Sequence, residues 1–208
     1  KEKAYIVYDV AKNIMSDVFE DPRSGENVER SKIWVSNTID FIIRSKASFS
    51  SLLGVVSHDY YTYTHSVNVS VLGLLFAKYL CFDGGEMQSF GTGLLLHDVG
   101  KTQIDSELIN KKERLSEEEF TRMKMHVEIG ADILKQTGSA GSTSFFAVME
   151  HHEKHNGKGY PMGLKGDEIH KHGKIAGIID VYDALTTKRS YSDARKPFAA
   201  LKIMNEEM

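Results

Sequence analysis

The chain has one cysteine and three prolines in 208 residues. A lone Cys81 excludes an internal disulfide and fits a reducing compartment, so the expected location is cytoplasmic. We read Cys81 as a buried helix-end residue, where free thiols usually sit. With so little proline, helices can run uninterrupted. No apolar run approaches the roughly 20 residues of a membrane span, and the first residues are charged rather than leader-like, so neither a span nor a signal peptide is expected. Charge of one sign is also missing. With 26 basic against 29 acidic residues the net charge is −3, so the chain as a whole is not expected to coat DNA or RNA or to bind a membrane as a polybasic protein. Phosphate recognition would have to be local. The alternation that marks strands is absent, and because the sequence starts at Lys1 and stops at Met208 within a helical pattern, it reads as a piece of a longer chain.

What is present is an ordinary globular composition, 41% hydrophobic and 26% charged, sufficient for one core. Apolar residues recur at helical spacing almost throughout, so the expected fold class is all-α. Ala4, Tyr8, Ala11, Met15 and Val18 form one stripe, and Asp21-Pro22-Arg23-Ser24-Gly25 ends that helix. A second helix runs to about Lys46 and a short third covers roughly 49–56. From His58 onward the faces expected to be buried turn polar. His65, Asn68 and Leu72 share a stripe, and a helix over about 87–98 aligns Phe90, Leu94 and His97. Ser116 and Glu119 form a capping box for a helix whose inward stripe is Met123, His126, Gly130 and Ile133. Residues 136–144 are Gly/Ser-rich and read as a loop leading to a helix that ends at His151-His152. A last helix over about 172–187 aligns Gly173, Ala176, Gly177, Asp180 and Ala184, which leaves room around Asp180.

Two segments carry chemistry: His97-Asp98-Val99-Gly100-Lys101, and residues 151–161, where two adjacent imidazoles precede a Gly159-Tyr160-Pro161 loop. Adjacent imidazoles suit divalent transition metals, and glycines let backbone approach a ligand closely. A single histidine is usually a hydrogen-bonded core or surface side chain. The set His65, His97, Asp98, His126, His151, His152 and Asp180 is different, because burying it without a cation would strand many polar groups. Lys101, three residues after Asp98, could reach a phosphate oxygen, against the plain reading of a helix-end lysine. Asp183, one turn beyond Asp180, is either an orienting partner for a ligand or a surface acid. Arg189 is a candidate phosphate fork. His58, His155, His170 and His172 lie in polar segments and read as solvated.

In these segments, together with Tyr61-Thr62-Tyr63-Thr64-His65-Ser66 and Asp180-Val181-Tyr182-Asp183-Ala184-Leu185, the chain resembles the HD-GYP family of metal phosphohydrolases that degrade cyclic di-GMP. The resemblance covers about residues 58–200. It implies an HD-superfamily helical bundle with a binuclear core site, and divides the chain into N-terminal helices over 1–57, a cap or connector to an upstream domain, and a catalytic domain over 58–208, truncated at its C-terminus. It also implies one metal on His65, His97, Asp98 and Asp180 and another on Asp98, His126, His151 and His152, with Asp98 shared. The expected metals are two, iron first, with Mn, Ni, Zn and Co as alternatives. Tyr61 stands where some relatives have a glutamate for a third. The implied reaction is attack of a metal-bridging hydroxide on cyclic di-GMP, giving pGpG and, on a second cut, GMP. Asp98 and Lys101 would be catalytic. Lys101, Gly159, Tyr160, Pro161 and Arg189 would bind substrate, and Asp183 would orient a ligand. Alternatives are a phosphohydrolase for another cyclic dinucleotide such as cyclic GMP-AMP, or a non-catalytic cyclic di-GMP sensor. Further expectations by resemblance are an upstream sensory or receiver domain, a diguanylate cyclase domain as partner, and a homodimer. The chain departs from the family pattern at Ser190 and Ser192, and at Lys174 where arginine is common.

Overall fold

The computed structural model describes residues 2–56, 62–139, 141–188 and 193–207. Among them every regular element is helical, apart from one isolated bridge between Asn156 and Lys165. The helices are α1 (Glu2–Glu20), α2 (Gly25–Arg44), α3 (Lys46–Leu53), α4 (Thr62–Tyr79), α5 (Gly84–Leu95), α6 (Ser106–Ile109), α7 (Glu117–Lys124), α8 (His126–Gln136), α9 (Ser142–Glu150), α10 (Lys171–Thr186) and α11 (Pro197–Glu207). Short 3-10 helices cover Val99–Gln103 and Gly166–Glu168. No helix of the described residues is long and apolar enough to cross a membrane.

Helix α4 lies at the centre. It has no Asp, Glu, Lys or Arg before Lys78, and every side chain from Thr64 to Val71 is buried. A helix that is apolar or small all round has to be enclosed by others. Around it α4 packs on α5, α5 on α9, α9 on α10, and α10 back on α4. Small residues set the spacing of this ring: a Cβ on Gly93 would lie 2.6 Å from Ser144 Cα, so α5 and α9 meet almost backbone to backbone. Phe90, Leu94 and Leu95 fill the interior, each contributing about 1.5–3 kcal/mol by leaving water. Helices α1 and α2 lie against α4 and α5, and their buried stripes join the same core.

Side-chain caps explain several boundaries. Ser45 accepts from the Ser48 amide at 3.1 Å, so α3 begins ahead of its first aromatic residue. The capping box of Ser116 and Glu119 is present at α7. The single helix expected through Met123 and His126 is instead two, α7 and α8, because at Met125 the amide turns to the Arg122 carbonyl at 3.2 Å. His126, Gly130 and Ile133 still face inward, whereas Met123 is only half-buried. Likewise α5 stops at Leu95, which leaves His97 and Asp98 in the turn beyond it, and the Ser/Gly segment becomes helical from Ser142. Cys81 is exposed rather than buried. It has φ of +60° and closes α4, with the Phe82 amide on the Ala77 carbonyl at 3.0 Å and its own amide on Lys78 at 3.1 Å. His172, expected to be solvated, is buried against Phe82 and Phe90, its Nε2 2.9 Å from Glu86 Oε1.

Candidate metal centre

Five elements bring the candidate ligands together. His65 comes from α4, His97 and Asp98 from the turn after α5, His126 from the first position of α8, His151 and His152 from the end of α9, and Asp180 from α10. Asp98 divides its oxygens between two groups. Its Oδ2 lies 3.4 Å from His97 Nε2 and 3.9 Å from His65 Nε2, and its Oδ1 lies 3.4 Å from His126 Nε2 and 3.9 Å from His151 Nε2. Asp180 is split in the same sense, with Oδ1 2.9 Å from His65 Nε2 and 4.0 Å from His97 Nε2, and Oδ2 3.9 Å from His152 Nδ1. Two clusters with ligand-like spacing follow: His65, His97 and Asp98, and Asp98, His126, His151 and His152.

Three histidines are oriented by one local device. His97, His126 and His151 each direct Nδ1 at the carbonyl three residues earlier, on Leu94, Met123 and Val148, at 2.8, 2.7 and 2.8 Å. A ring that donates through Nδ1 carries its lone pair on Nε2, so all three present an acceptor to the interior. On His65 the same task falls to Asp183, whose Oδ2 lies 2.7 Å from Nδ1. The inward atoms His97 Nε2, His126 Nε2, His151 Nε2 and Asp98 Oδ1 are buried and make no hydrogen bond. Leaving such atoms unsatisfied costs about 1–3 kcal/mol each. Divalent cations remove that cost, and the nitrogen and oxygen donors suit them.

Electrostatics keep His126, His151, His152, Asp98 and Asp180 in the ligating state. Burial, then Lys101, brings His126 down to about 4 from the ordinary 6.5, and burial brings His152 to about 3. His151 is held well below its usual value by burial and by His152. For Asp98 burial works upward, but Lys101, His97 and His126 outweigh it and hold the carboxyl well below the carboxylate range. Asp180 is low for the same kind of reason, burial being overcome first by His65. Because the folded His126 and His152 resist protonation while the unfolded chain titrates near 6.5, their stabilising effect is complete above that pH and is lost as pH falls toward 4. The denaturation midpoint of the metal-free chain should drop across this window, and a flat profile by circular dichroism would contradict the buried neutral rings.

Gly100 and Glu153 fix the two motif segments. A Cβ on Gly100 would lie 1.9 Å from the His126 carbonyl oxygen, so only glycine lets the His97-Asp98 turn press against α8. One residue on, Lys101 Nζ donates to Asp98 Oδ2 at 2.6 Å, across a 3-10 turn rather than an α-helical one. Glu153, absent from the residues singled out in the sequence, is buried and accepts from three successive amides, Met162, Gly163 and Leu164, at 2.7, 3.0 and 2.9 Å. This ties down the loop that carries Tyr160, whose ring centroid lies 4.6 Å from that of His152 and whose phenol is kept neutral, its pKa raised chiefly by burial. Glu153→Gln turns one amide donor against another and should cost about 1–3 kcal/mol, read as a lower midpoint in urea. An unchanged midpoint would remove Glu153 as the anchor. The signal for it was available, since it directly follows the paired histidines, but an isolated Glu does not announce a nest of amides.

Tyr160 stands beside the centre, whereas Lys174 is turned to a surface pair with Asp167 at 3.0 Å. Of the other histidines, His155 is exposed and His170 half-buried, stacked on Phe146 with centroids 3.9 Å apart. Arg189, Ser190, Ser192, Tyr61 and His58 lie outside the described residues.

Comparison with known proteins agrees with this geometry. The HD domain family model matches residues 62–208. The cyclic di-GMP phosphodiesterase PA4108 of Pseudomonas aeruginosa is 30% identical over 94% of this chain and 48% of its own length. The 3'3'-cGAMP-specific phosphodiesterase 2 of Vibrio cholerae serotype O1 is 42% identical over 54% of this chain and 21% of its own. The chain thus spans half or less of the length of these curated relatives. Among solved structures, Bd1817, a HDG"Y"P protein from Bdellovibrio bacteriovorus, superposes with a TM-score of 0.81 at 25% identity, over 99% of this chain and 66% of that one. With its His97-Asp98 pair, its Gly159-Tyr160-Pro161 loop and a helical bundle that converges on one buried histidine and aspartate cluster, the chain belongs to the HD domain family, in its HD-GYP branch.

Proposed function

We propose that the chain is a metal-dependent phosphodiesterase that opens cyclic di-GMP to linear pGpG, with GMP as the end product if the second bond is also cut. The observation that carries this reading is the divided carboxylate of Asp98, one oxygen facing His65 and His97 and the other facing His126 and His151. One acid shared between two nitrogen sets is what a two-cation phosphodiesterase requires. In this reading His65, His97, Asp98 and Asp180 hold one cation, and Asp98, His126, His151 and His152 the other. When bound, the cations supply Lewis acidity toward the phosphodiester and make a nucleophile of water near neutral pH. We take iron as the first choice; manganese, nickel, zinc and cobalt suit the same donors.

The chain's own groups do the rest. Asp98, held ionised, faces both cation positions. The ammonium of Lys101 lies at its edge and can exchange part of that contact for a phosphate oxygen. Tyr160, a neutral phenol, packs its ring against that of His152. Beside them a cavity of about 250 Å³ is lined by Tyr160, Val181, Leu185, Ile203 and Met204. Drug-sized ligands occupy about 300–1,000 Å³, so this cavity matches one base rather than a whole dinucleotide. Arg189 is proposed as a further phosphate contact.

Relatives named cyclic di-GMP phosphodiesterases support the substrate, while one named for 3'3'-cGAMP makes that dinucleotide the second reading. A sensor without turnover is disfavoured by the full set of candidate ligands. We further propose a cytoplasmic protein whose catalytic unit is residues 58–208, with residues 1–57 as a cap that shares its core, and with an upstream sensory or receiver domain, a diguanylate cyclase domain partner and a homodimer as its associations. The test is anaerobic incubation of the Fe(II)- or Mn(II)-loaded chain with cyclic di-GMP and with 3'3'-cGAMP, products resolved by chromatography. Formation of pGpG or GMP is expected, and hydrolysis of 3'3'-cGAMP alone would select the second reading.

A further inference from the structure

The family model's match begins at residue 62, so α1 lies outside it, yet α1 reaches the metal centre through a line of buried hydrogen bonds. The Tyr8 hydroxyl donates to Asn68 Oδ1, Asn68 Nδ2 donates to Asp183 Oδ1 at 2.9 Å, and Asp183 Oδ2 lies 2.7 Å from His65 Nδ1. All four residues are buried, at 4%, 0%, 1% and 1% exposure. The direction of each link is dictated by the next. A carboxylate only accepts, so Asn68 must turn its amide NH2 to Asp183, and its carbonyl is then left for a donor. A phenol hydroxyl supplies that donor. Reversing Asn68 would set its carbonyl against the carboxylate, and the hydroxyl of Tyr8, by donating to that carbonyl, holds the amide in the orientation that lets Asp183 keep the His65 Nδ1 proton.

We propose that Tyr8 is a positioning residue for the metal centre, acting through Asn68 and Asp183 to keep the lone pair of His65 Nε2 on the cation position next to Asp98 and Asp180. The proposal rests on the reading of His65 as a ligand. The effect of Tyr8 is on affinity at the His65 half of the centre. Partners that orient a metal-bound histidine typically change affinity 10–100-fold. Tyr8 is two links further out than Asp183, which places its effect near the lower end.

Tyr8→Phe keeps the ring and its packing, so the variant is expected to fold. Mn(II) is titrated calorimetrically into the wild type, Tyr8→Phe, Asp183→Asn and the double variant, with the thermal midpoint of each metal-free protein measured alongside. Tyr8→Phe is expected to weaken one of the two binding steps by about tenfold and the other by much less, and to add nothing in the Asp183→Asn background. If Asp183→Asn does not fold, Asn68→Ala serves as the second member of the cycle. Equal affinities for wild type and Tyr8→Phe would overturn the proposal, as would a lower midpoint without a change in affinity, or a loss that persists in the second background. A wild-type chain that binds no Mn(II) would remove the centre itself and the proposal with it, whereas Mn(II) binding without cleavage of any cyclic dinucleotide would overturn the proposed function and leave the role of Tyr8 standing.

Discussion

Replacing Asp98 with alanine should abolish cation binding and turnover together. Its two oxygens face the two histidine groups separately: Oδ2 lies 3.4 Å from His97 Nε2 and Oδ1 3.4 Å from His126 Nε2. Loss of a partner behind a ligand costs 10–100-fold in affinity or activity, so loss of a ligand shared by two cations should exceed about 10³-fold in turnover. The variant would also bury Lys101 Nζ's former acceptor site as an empty space and leave the inward histidine nitrogens facing one another. Metal content measured by elemental analysis, with turnover of cyclic di-GMP in parallel, checks this. A variant that retains two cations per chain would take Asp98 out of the bridging position.

Lys101→Ala should separate what Asp98→Ala loses together. The ammonium donates to Asp98 Oδ2 at 2.6 Å but has no lone pair for a cation, so the metals should remain at neutral pH. If the same ammonium meets the phosphate as its charge grows, the rate should fall by roughly 10²-fold or more, the size found when one preorganised donor is removed from a reacting oxyanion. The pH dependence gives an independent reading. Lys101 is the first of the groups that hold the Asp98 carboxyl low against the upward effect of burial. Without it the carboxyl takes up a proton at higher pH, so as pH falls the variant should release its cations sooner than the wild type. Unaltered turnover would exclude Lys101 from the chemistry, and unaltered release would show that Asp98 is held ionised by its histidines alone.

The sequence made the helices and the candidate ligands legible for different reasons. The stripe of α1 could be read because each of its residues answers to a single requirement, to face one core. Helix α4 was harder, since from Thr64 to Val71 it is buried all round and its polar residues His65, Ser66, Asn68 and Ser70 break the simple pattern. Those breaks were the useful signal, because polar groups are buried only where something satisfies them. Boundaries fared worse where a local bond competed with helical continuation. The imidazole of His126 takes the Met123 carbonyl at 2.7 Å, just where the chain leaves α7 and restarts as α8. Cys81 misled because free cysteine is usually buried, whereas here a residue with left-handed backbone was needed to close α4.

By itself the sequence determined the all-helical class, the two motif segments and the seven candidate ligands, since residue type and helical period suffice for these. Only the tertiary structure decided how Asp98 divides its oxygens, that three imidazoles share the same carbonyl-anchored orientation, and that Glu153 pins the Tyr160 loop through three amides. It also decided that Tyr8, 57 positions before His65 in the chain, stands in line with it through Asn68 and Asp183. The physical reason is the same in each case. Periodicity reports which face of an element is turned inward, but a hydrogen bond or a ligand contact depends on distances of a few ångströms between elements remote in sequence, and those are set only when the helices pack.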